Sequence, residues 1–140
     1  MITFEHKVHY YETDKMGIVH HSNYIRWMEE ARVFAMDQVG HPYKKFEDNG
    51  LISPVLSVEC TYKKSVFFGD IVEITVFLEK FHLATFSFGY KFYNISKNRE
   101  LCATAKSSHC FINSSGKIIN TEKDFSEFLK KLTEISQCPR

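Results

Sequence analysis

The segment YYETDKMGIVHHSNY, residues 10–24, places a carboxylate, a glycine, two histidines and several aromatic residues within fifteen positions. An amphipathic pattern begins where this segment ends. From Tyr24 to about Val39, apolar side chains recur at steps of three and four residues, which predicts a helix with one buried face. Gly40 and Pro42 are typical of the residues just beyond a helix. We therefore interpret residues 10–24 as a loop that leads into the longest helix of the chain.

Outside this region the pattern is mostly that of β-strands, because apolar residues alternate or run continuously between turn residues. The predicted strands cover residues 2–11, 51–62, 71–81, 84–95 and 101–112, with a short extension through Ile118-Ile119. A short helical turn is predicted at residues 43–50, a docking helix at about 122–135 and a frayed tail at 137–140. One long helix early in an otherwise antiparallel sheet predicts an α+β fold, a single domain over residues 1–140 in which the sheet wraps the helix.

Two expectations concern surfaces. Charged residues of the long helix should fall on faces away from the core, with Glu29 and Arg32 forming a surface pair. The outer face of the sheet should need a partner, which predicts oligomerisation with a two-fold dimer as the minimum.

Composition excludes several classes of protein. The net charge is +1 and no run of five basic residues occurs, which argues against a nucleic-acid-binding protein. No apolar run approaches the roughly 18 residues of a membrane-spanning helix, and the first residues show no signal peptide. The cysteines, at positions 60, 102, 110 and 138, have no CxxC spacing, so we expect reduced thiols in a cytoplasmic protein.

Asp14 is the first candidate for chemistry. A carboxylate beside a glycine-containing loop and a helix start is placed for work as a general base or a nucleophile. The alternative is a turn-forming aspartate, because aspartate is common in turns. The residues alone leave both interpretations open.

The start of the helix is the second candidate. Its first N–H groups lack internal partners and lie at the positive end of the helix dipole, where they can stabilise an oxyanion. Alternatively, Ser22 or Asn23 simply caps them. His20 or His21 could hydrogen-bond a carbonyl, whereas a metal site is not expected because no third ligand has suitable spacing. Tyr24 fits packing better than catalysis.

An ordered pattern runs through these candidates: Tyr10-x-x-Thr13-Asp14-x-x-Gly17-x-Val19-x-His21-x-x-Tyr24, followed by Trp27-Met28-Glu29-Glu30-Ala31-Arg32. Further on stands Phe68-Gly69-Asp70-x-Val72-Glu73-Ile74. On these residues the chain resembles the hotdog-fold acyl-CoA thioesterases, in particular the 4-hydroxybenzoyl-CoA thioesterase type and its YbgC-like branch. The resemblance covers about residues 3–125. It implies a hotdog fold, a curved antiparallel sheet around one central helix, paired into homodimers and often homotetramers.

The resemblance also implies roles for individual residues. Asp14 matches the catalytic aspartate, acting as general base or nucleophile, and the backbone N–H of His21 matches the donor that polarises the thioester carbonyl. Tyr10 matches a tyrosine that some members place near the site. Substrate-binding positions are expected at Gly17, Val19, Tyr24, Lys63 and Lys64, where the two lysines could meet the phosphates of coenzyme A or remain solvated at a strand edge.

The resemblance therefore predicts an acyl-CoA thioesterase that releases a free acid and coenzyme A at a dimer interface. Coenzyme A is part of the substrate, and no cofactor or metal is expected. Two alternatives remain: a thioesterase acting on acyl or polyketide chains held by an acyl carrier protein, and a non-catalytic module that binds acyl thioesters. The intact Asp14 argues against the module.

Overall fold

A computed structural model of the protein describes residues 2–120 and 126–135, which form one antiparallel sheet packed on helices. The strands are β1 (Ile2–Lys7), β2 (Val55–Tyr62), β3 (Ile71–His82), β4 (Thr85–Asn94) and β5 (Glu100–Cys110). The helices are α1 (Ser22–Gln38), α2 (Tyr43–Asp48) and α3 (Ser126–Thr133), with 3-10 turns at Tyr10–Glu12 and Ile95–Lys97. The order across the sheet is β1-β3-β4-β5-β2, so β1 and β2 are its two edges. The predicted α+β architecture is confirmed.

The helix α1 packs its predicted stripe into the concave side of the sheet. Tyr24, Trp27, Met28, Ala31 and Ala35 are all buried, as their spacing predicts. They meet inward-facing residues of the central strands, and the ring of Tyr24 lies 5.5 Å from that of Phe92. This packing holds the start of α1 against the sheet and so determines where the preceding loop lies.

Arg32 departs from the expected surface position. Only 6% of the residue is exposed, and its Nη1 donates a hydrogen bond to the hydroxyl of Tyr90 at 3.2 Å. No ion pair with Glu29 forms. The predicted surface pair is therefore wrong, because residue 32 lies next to the buried Ala31 on the edge of the apolar face.

The first strand is shorter than the predicted range 2–11. β1 ends at Lys7, and the chain then forms a 3-10 turn at Tyr10–Glu12 whose Glu12 is buried. The apparent continuation of the alternation through Tyr10 is coincidental, since Tyr10 is 77% exposed and belongs to the turn. After the turn, the N–H of His20 donates to the carbonyl of Glu12 at 2.9 Å, so the end of the loop returns beside the turn.

The outer face of the sheet carries charged pairs. Arg99 forms two hydrogen bonds with Glu73, and the ammonium of Lys106 lies 2.9 Å from Glu79. The oligomerisation expected from this face stays a prediction. Exposed apolar side chains of the sheet also lie along the edge strand β2, where every residue but one is exposed.

The C-terminal helix α3 buries Phe128 and Leu132 against the core, in agreement with a docking helix. The predicted residues 122–125 and the tail 137–140 lie outside the described part of the chain. Cys60, Cys102 and Cys110 are free thiols, and Cys138 also lies outside the described residues. No helix within residues 2–120 and 126–135 has both the length and the apolar character that crossing a bilayer requires.

Candidate active site

The loop before α1 fixes the carboxylate of Asp14 through its own backbone. Oδ1 of Asp14 accepts hydrogen bonds from the N–H groups of Met16, at 2.8 Å, and Ile18, at 3.2 Å. The N–H of Gly17 donates to the carbonyl of Asp14 at 3.0 Å, and Gly17 has a φ of 79°, a conformation that favours glycine. Asp14 therefore stabilises the turn through Oδ1. Its side chain is also exposed, and Oδ2 has no hydrogen bond among the described residues.

The side chain of His21, at the N-cap position, does not cap α1. Instead Nδ1 of His20 accepts from the backbone N–H of Ser22 at 3.2 Å and lies 2.8 Å from the hydroxyl of Ser22. The amide of Asn23 donates to the carbonyl of Glu12 at 2.9 Å. The expected capping by Ser22 or Asn23 is therefore wrong. Within the described chain, no acceptor for the backbone N–H of His21 is found.

An open cavity of about 310 Å³ joins the loop to the start of α1 and to the end of β2. It brings together seven of the residues singled out from the sequence: Asp14, Val19, His20, His21, Tyr24, Lys63 and Lys64. Gly17 shapes the loop but does not line the cavity. Tyr10 lies outside it, with its ring 5.6 Å from the ring of Phe68. A carboxylate oxygen, a helix N-terminus and two lysines thus share one cavity.

Tyr62 is a residue of this cavity that the sequence reasoning missed. Its hydroxyl donates to the carbonyl of His21 at 3.2 Å, and its ring lies 4.9 Å from that of Tyr24. Burial, reinforced by the nearby Cys60, raises the pKa of Tyr62 to about 12, so the hydroxyl remains a donor at neutral pH. Ser65 also lines the cavity. No local pattern indicates either residue, because packing of β2 beside α1 brings them there.

A buried carboxylate fastens the loop to α1. Glu12 is 4% exposed, and its Oε1 accepts from the N–H of His9 at 2.8 Å while its Oε2 accepts from Nε1 of Trp27 at 2.6 Å. Nε2 of His6 lies 2.7 Å from Oε1. Burial alone would raise the pKa of Glu12, but the hydrogen bonds from His9, His6 and Trp27 outweigh it and lower that pKa. The ionised side chain therefore holds together β1, the turn and the helix.

The same residues form the one group in the described chain with the composition of a metal site. The nearest ligand atoms of His6, His9 and Glu12 lie within 4.8 Å of one another, a set that the spacing argument did not foresee. Both oxygens of Glu12 already accept hydrogen bonds from protein donors. A metal ion would have to displace these donors, so the geometry fits a structural hydrogen-bond network better.

With the geometry established, comparison with known proteins identifies the class. The model of the Thioesterase-like superfamily matches residues 8–136. A protein of Aquifex aeolicus, provisionally named an esterase, is 40% identical over 127 residues, which are 91% of this chain and 96% of that protein. The chain belongs to the thioesterase-like superfamily, and its prediction as an enzyme of the thioester hydrolase class is confirmed at this level.

Two further relatives refine the comparison. A Bacillus subtilis protein provisionally named acyl-CoA thioesterase YneP is 36% identical over 125 residues, which are 89% of each chain. The crystal structure of a Staphylococcus aureus DHNA-CoA thioesterase, 30% identical, superposes with a TM-score of 0.86 over 95% of this chain and 89% of that one. The hotdog fold is confirmed. The YbgC-like branch stays a prediction, since DHNA-CoA thioesterases match the chain as well.

Proposed function

We propose that the protein is an acyl-CoA thioesterase whose chemistry takes place in the cavity between Asp14 and the start of α1. One observation carries the proposal: Asp14, whose Oδ2 is unbonded, and His21, whose backbone N–H is unpaired among the described residues, line the same cavity. One group can activate water, and the other can hold the thioester oxygen. The provisional name of the Bacillus subtilis relative supports coenzyme A thioesters as the substrate class.

The proposed reaction adds water across the thioester bond. Oδ2 of Asp14 takes a proton from a water molecule as the oxygen of that water attacks the carbonyl carbon. The carbonyl oxygen becomes an oxyanion, which the N–H of His21 and the positive end of the α1 dipole stabilise. When the carbonyl re-forms, the C–S bond breaks, and the thiolate of coenzyme A takes up the proton. The products are a carboxylic acid and the free thiol.

Asp14 could alternatively attack the carbonyl carbon itself and form an anhydride, which water would then hydrolyse. Its exposure in a single chain is compatible with either route. A single turnover in water enriched in oxygen-18 can reveal the anhydride. Hydrolysis at its aspartyl carbon transfers the label into the carboxylate of Asp14, whereas direct attack by water, like hydrolysis at the acyl carbon, leaves Asp14 unlabelled.

The two lysines of the cavity suit the phosphates of coenzyme A. Lys63 and Lys64 are exposed and follow directly after β2, where both of their backbone N–H groups donate to the carbonyl of Cys102. These two hydrogen bonds hold both lysines at the cavity. An acidic carrier protein could use the same lysines, so it remains the second candidate substrate carrier.

A hydrolysis screen tests the proposed function. Short, long and aromatic acyl-CoA thioesters, together with one matched carrier-protein thioester, are incubated with the protein, and release of free thiol is recorded. We expect hydrolysis of at least one class of coenzyme A thioester, and faster turnover than for the matched carrier-protein thioester. Failure to hydrolyse any thioester would overturn the proposal, and a preference for the carrier protein would favour the second candidate.

The two edges of the sheet differ, and this difference indicates how two copies of the chain pair. The exposed side chains of edge strand β1 include Glu5 and Lys7, and charges of this kind discourage strand pairing. The edge strand β2 instead exposes Leu56 and Val58, beside the exposed Ile25 of α1. An exposed apolar edge favours pairing with a second copy about a two-fold axis. We infer a homodimer formed through β2, next to the cavity.

A charge on β2 should therefore separate the two copies. Leu56→Lys is expected to lower the molar mass in solution, measured by light scattering, from twice that of one chain to 16.4 kDa, and to reduce hydrolysis. The control is Leu83→Lys, since Leu83 lies in the β3–β4 turn and is 52% exposed, against 51% for Leu56. A monomeric parent protein, or equal masses for both variants, would refute pairing through β2.

A further inference from the structure

A second cavity contains a buried cation that has no acidic partner. The guanidinium of Arg32 donates to the hydroxyl of Tyr90 and interacts with the hydroxyl of Tyr43, both neutral groups, and it belongs to no ion pair among the described residues. A buried guanidinium is normally paired, because removing its charge from water is costly. Arg32 therefore has donors available for an acceptor that the folded chain does not provide.

The groups behind Arg32 are neutral. The hydroxyl of Tyr90 lies 2.6 Å from that of Ser107, which in turn lies 2.7 Å from Nε2 of His109. Burial, and then the charge of Arg32, lower the pKa of His109 to about 3, so this imidazole is uncharged at neutral pH. The network orients Arg32 without neutralising it.

The cavity in front of Arg32 has a volume of about 350 Å³. The side-chain hydroxyl of Ser53 is buried at its wall and is without a hydrogen-bond partner among the described residues. Val33, Ile52 and Val55 contribute apolar walls. An unpaired hydroxyl and an uncompensated guanidinium beside apolar walls are suited to a ligand that is apolar with an oxygen at one end.

Two exposed carboxylates, Glu29 and Glu47, also line this cavity. Their negative charges repel an anion with more than one charge, such as a phosphate. A single carboxylate can still meet the buried guanidinium with two parallel hydrogen bonds, and a phenolic hydroxyl can accept from Arg32. The shared chemistry is one oxygen-bearing end on an otherwise apolar group.

The cavity in front of Arg32 and the cavity with Asp14 lie at opposite ends of β2. The first lies beside Val55, where β2 begins, and the second lies beside Tyr62, where β2 ends. Antiparallel pairing of two β2 edges about a two-fold axis places the beginning of one strand next to the end of the other. The Arg32 cavity of one copy then lies next to the Asp14 cavity of its partner.

We propose that the cavity lined by Arg32 and Ser53 binds the end of the acyl group remote from the thioester and selects acyl groups that carry an oxygen acceptor there. This inference rests on the proposed function, since the acyl group is that of the thioester substrate. The acceptor is a carboxylate or a phenolic oxygen, and the experiment below distinguishes them.

Matched substrate pairs test the selectivity. Adipoyl-CoA is compared with hexanoyl-CoA, and 4-hydroxybenzoyl-CoA with benzoyl-CoA. In one pair, the parent protein should have a higher kcat/KM for the oxygen-bearing member. A preference for adipoyl-CoA identifies a carboxylate as the acceptor, and a preference for 4-hydroxybenzoyl-CoA identifies a phenolic oxygen. Arg32→Met should reduce kcat/KM for that member by about 10- to 100-fold and leave the plain member within about threefold. The control, Arg26→Met, removes an exposed arginine from the same helix and should keep the preference.

A second variant and a binding measurement keep the inference separate from hydrolysis. Ser53→Ala removes only the unpaired hydroxyl, so it should fold and should weaken the preference by a smaller factor. Calorimetric titration with free adipate and with free 4-hydroxybenzoate should give binding of at least one of them to the parent, and Arg32→Met should lose that binding, even if no thioester is hydrolysed. Absence of any preference in the parent, or equal losses for both members of each pair in Arg32→Met, would overturn the inference.

Discussion

Asp14→Asn is expected to lower kcat for acyl-CoA hydrolysis by about 10³-fold while KM stays close to that of the parent. Asparagine keeps the Oδ1 acceptor that holds the N–H groups of Met16 and Ile18, so the loop should retain its conformation. It replaces the free carboxylate oxygen with an amide nitrogen, which cannot take a proton from water. Steady-state kinetics on the best substrate of the screen measures both parameters.

The control for Asp14→Asn is Asp37→Asn, which makes the same change at an exposed position of α1 far from the cavity. Its kinetics should equal those of the parent. Circular dichroism and thermal melting of Asp14→Asn should also match the parent, because both hydrogen bonds of Oδ1 remain. A kcat for Asp14→Asn within threefold of the parent would remove Asp14 from the mechanism.

Glu12→Gln should have the largest effect on stability. An amide side chain can turn its oxygen toward the N–H of His9 or toward Nε1 of Trp27, but not toward both. One buried donor is left unpaired, and we expect the free energy of unfolding to fall by about 2–4 kcal/mol. That corresponds to a fall in melting temperature of about 10 °C for a chain of this size. Loosening of the loop that carries Asp14 should also lower kcat.

The pH dependence of Glu12→Gln gives a sharper readout than the melting temperature alone. The pKa of Glu12 is lowered in the folded protein, from an ordinary value of 4.5, so its ionised form stabilises the fold above that value. This contribution disappears as the pH falls through the folded-state pKa. The difference in stability between parent and variant should therefore be largest near pH 7 and shrink below pH 4.5. Glu5→Gln, an exposed change on β1, should show no such difference.

Much of the site could be predicted because its parts are local in sequence. Asp14, Gly17 and His21 lie within eight positions, and one turn followed by one helix start brings them together. The stripe from Tyr24 to Ala35 is likewise a property of one helix, so its spacing predicts most of the side chains that are buried, although Phe34 is only half-buried.

The remaining features depend on contacts between distant parts of the chain. Tyr62 meets His21 across 41 positions, and Arg32 meets Tyr90 across 58. Helical periodicity places residue 32 beside the apolar face, and the hydroxyls of Tyr90 and Tyr43 receive its guanidinium there. The burial of Glu12 could not be predicted from the sequence for a similar reason. A glutamate in a turn is ordinarily exposed, and its burial depends on Trp27 reaching back from α1.

The unequal edges of the sheet also limit how far the assembly can grow. Pairing two β2 strands joins two sheets into one and leaves a β1 strand at each end. Those terminal strands present Glu5 and Lys7, which resist the addition of another strand. In the proposed dimer, strand addition would therefore stop after one step, whereas two equally apolar edges would allow an open-ended fibre.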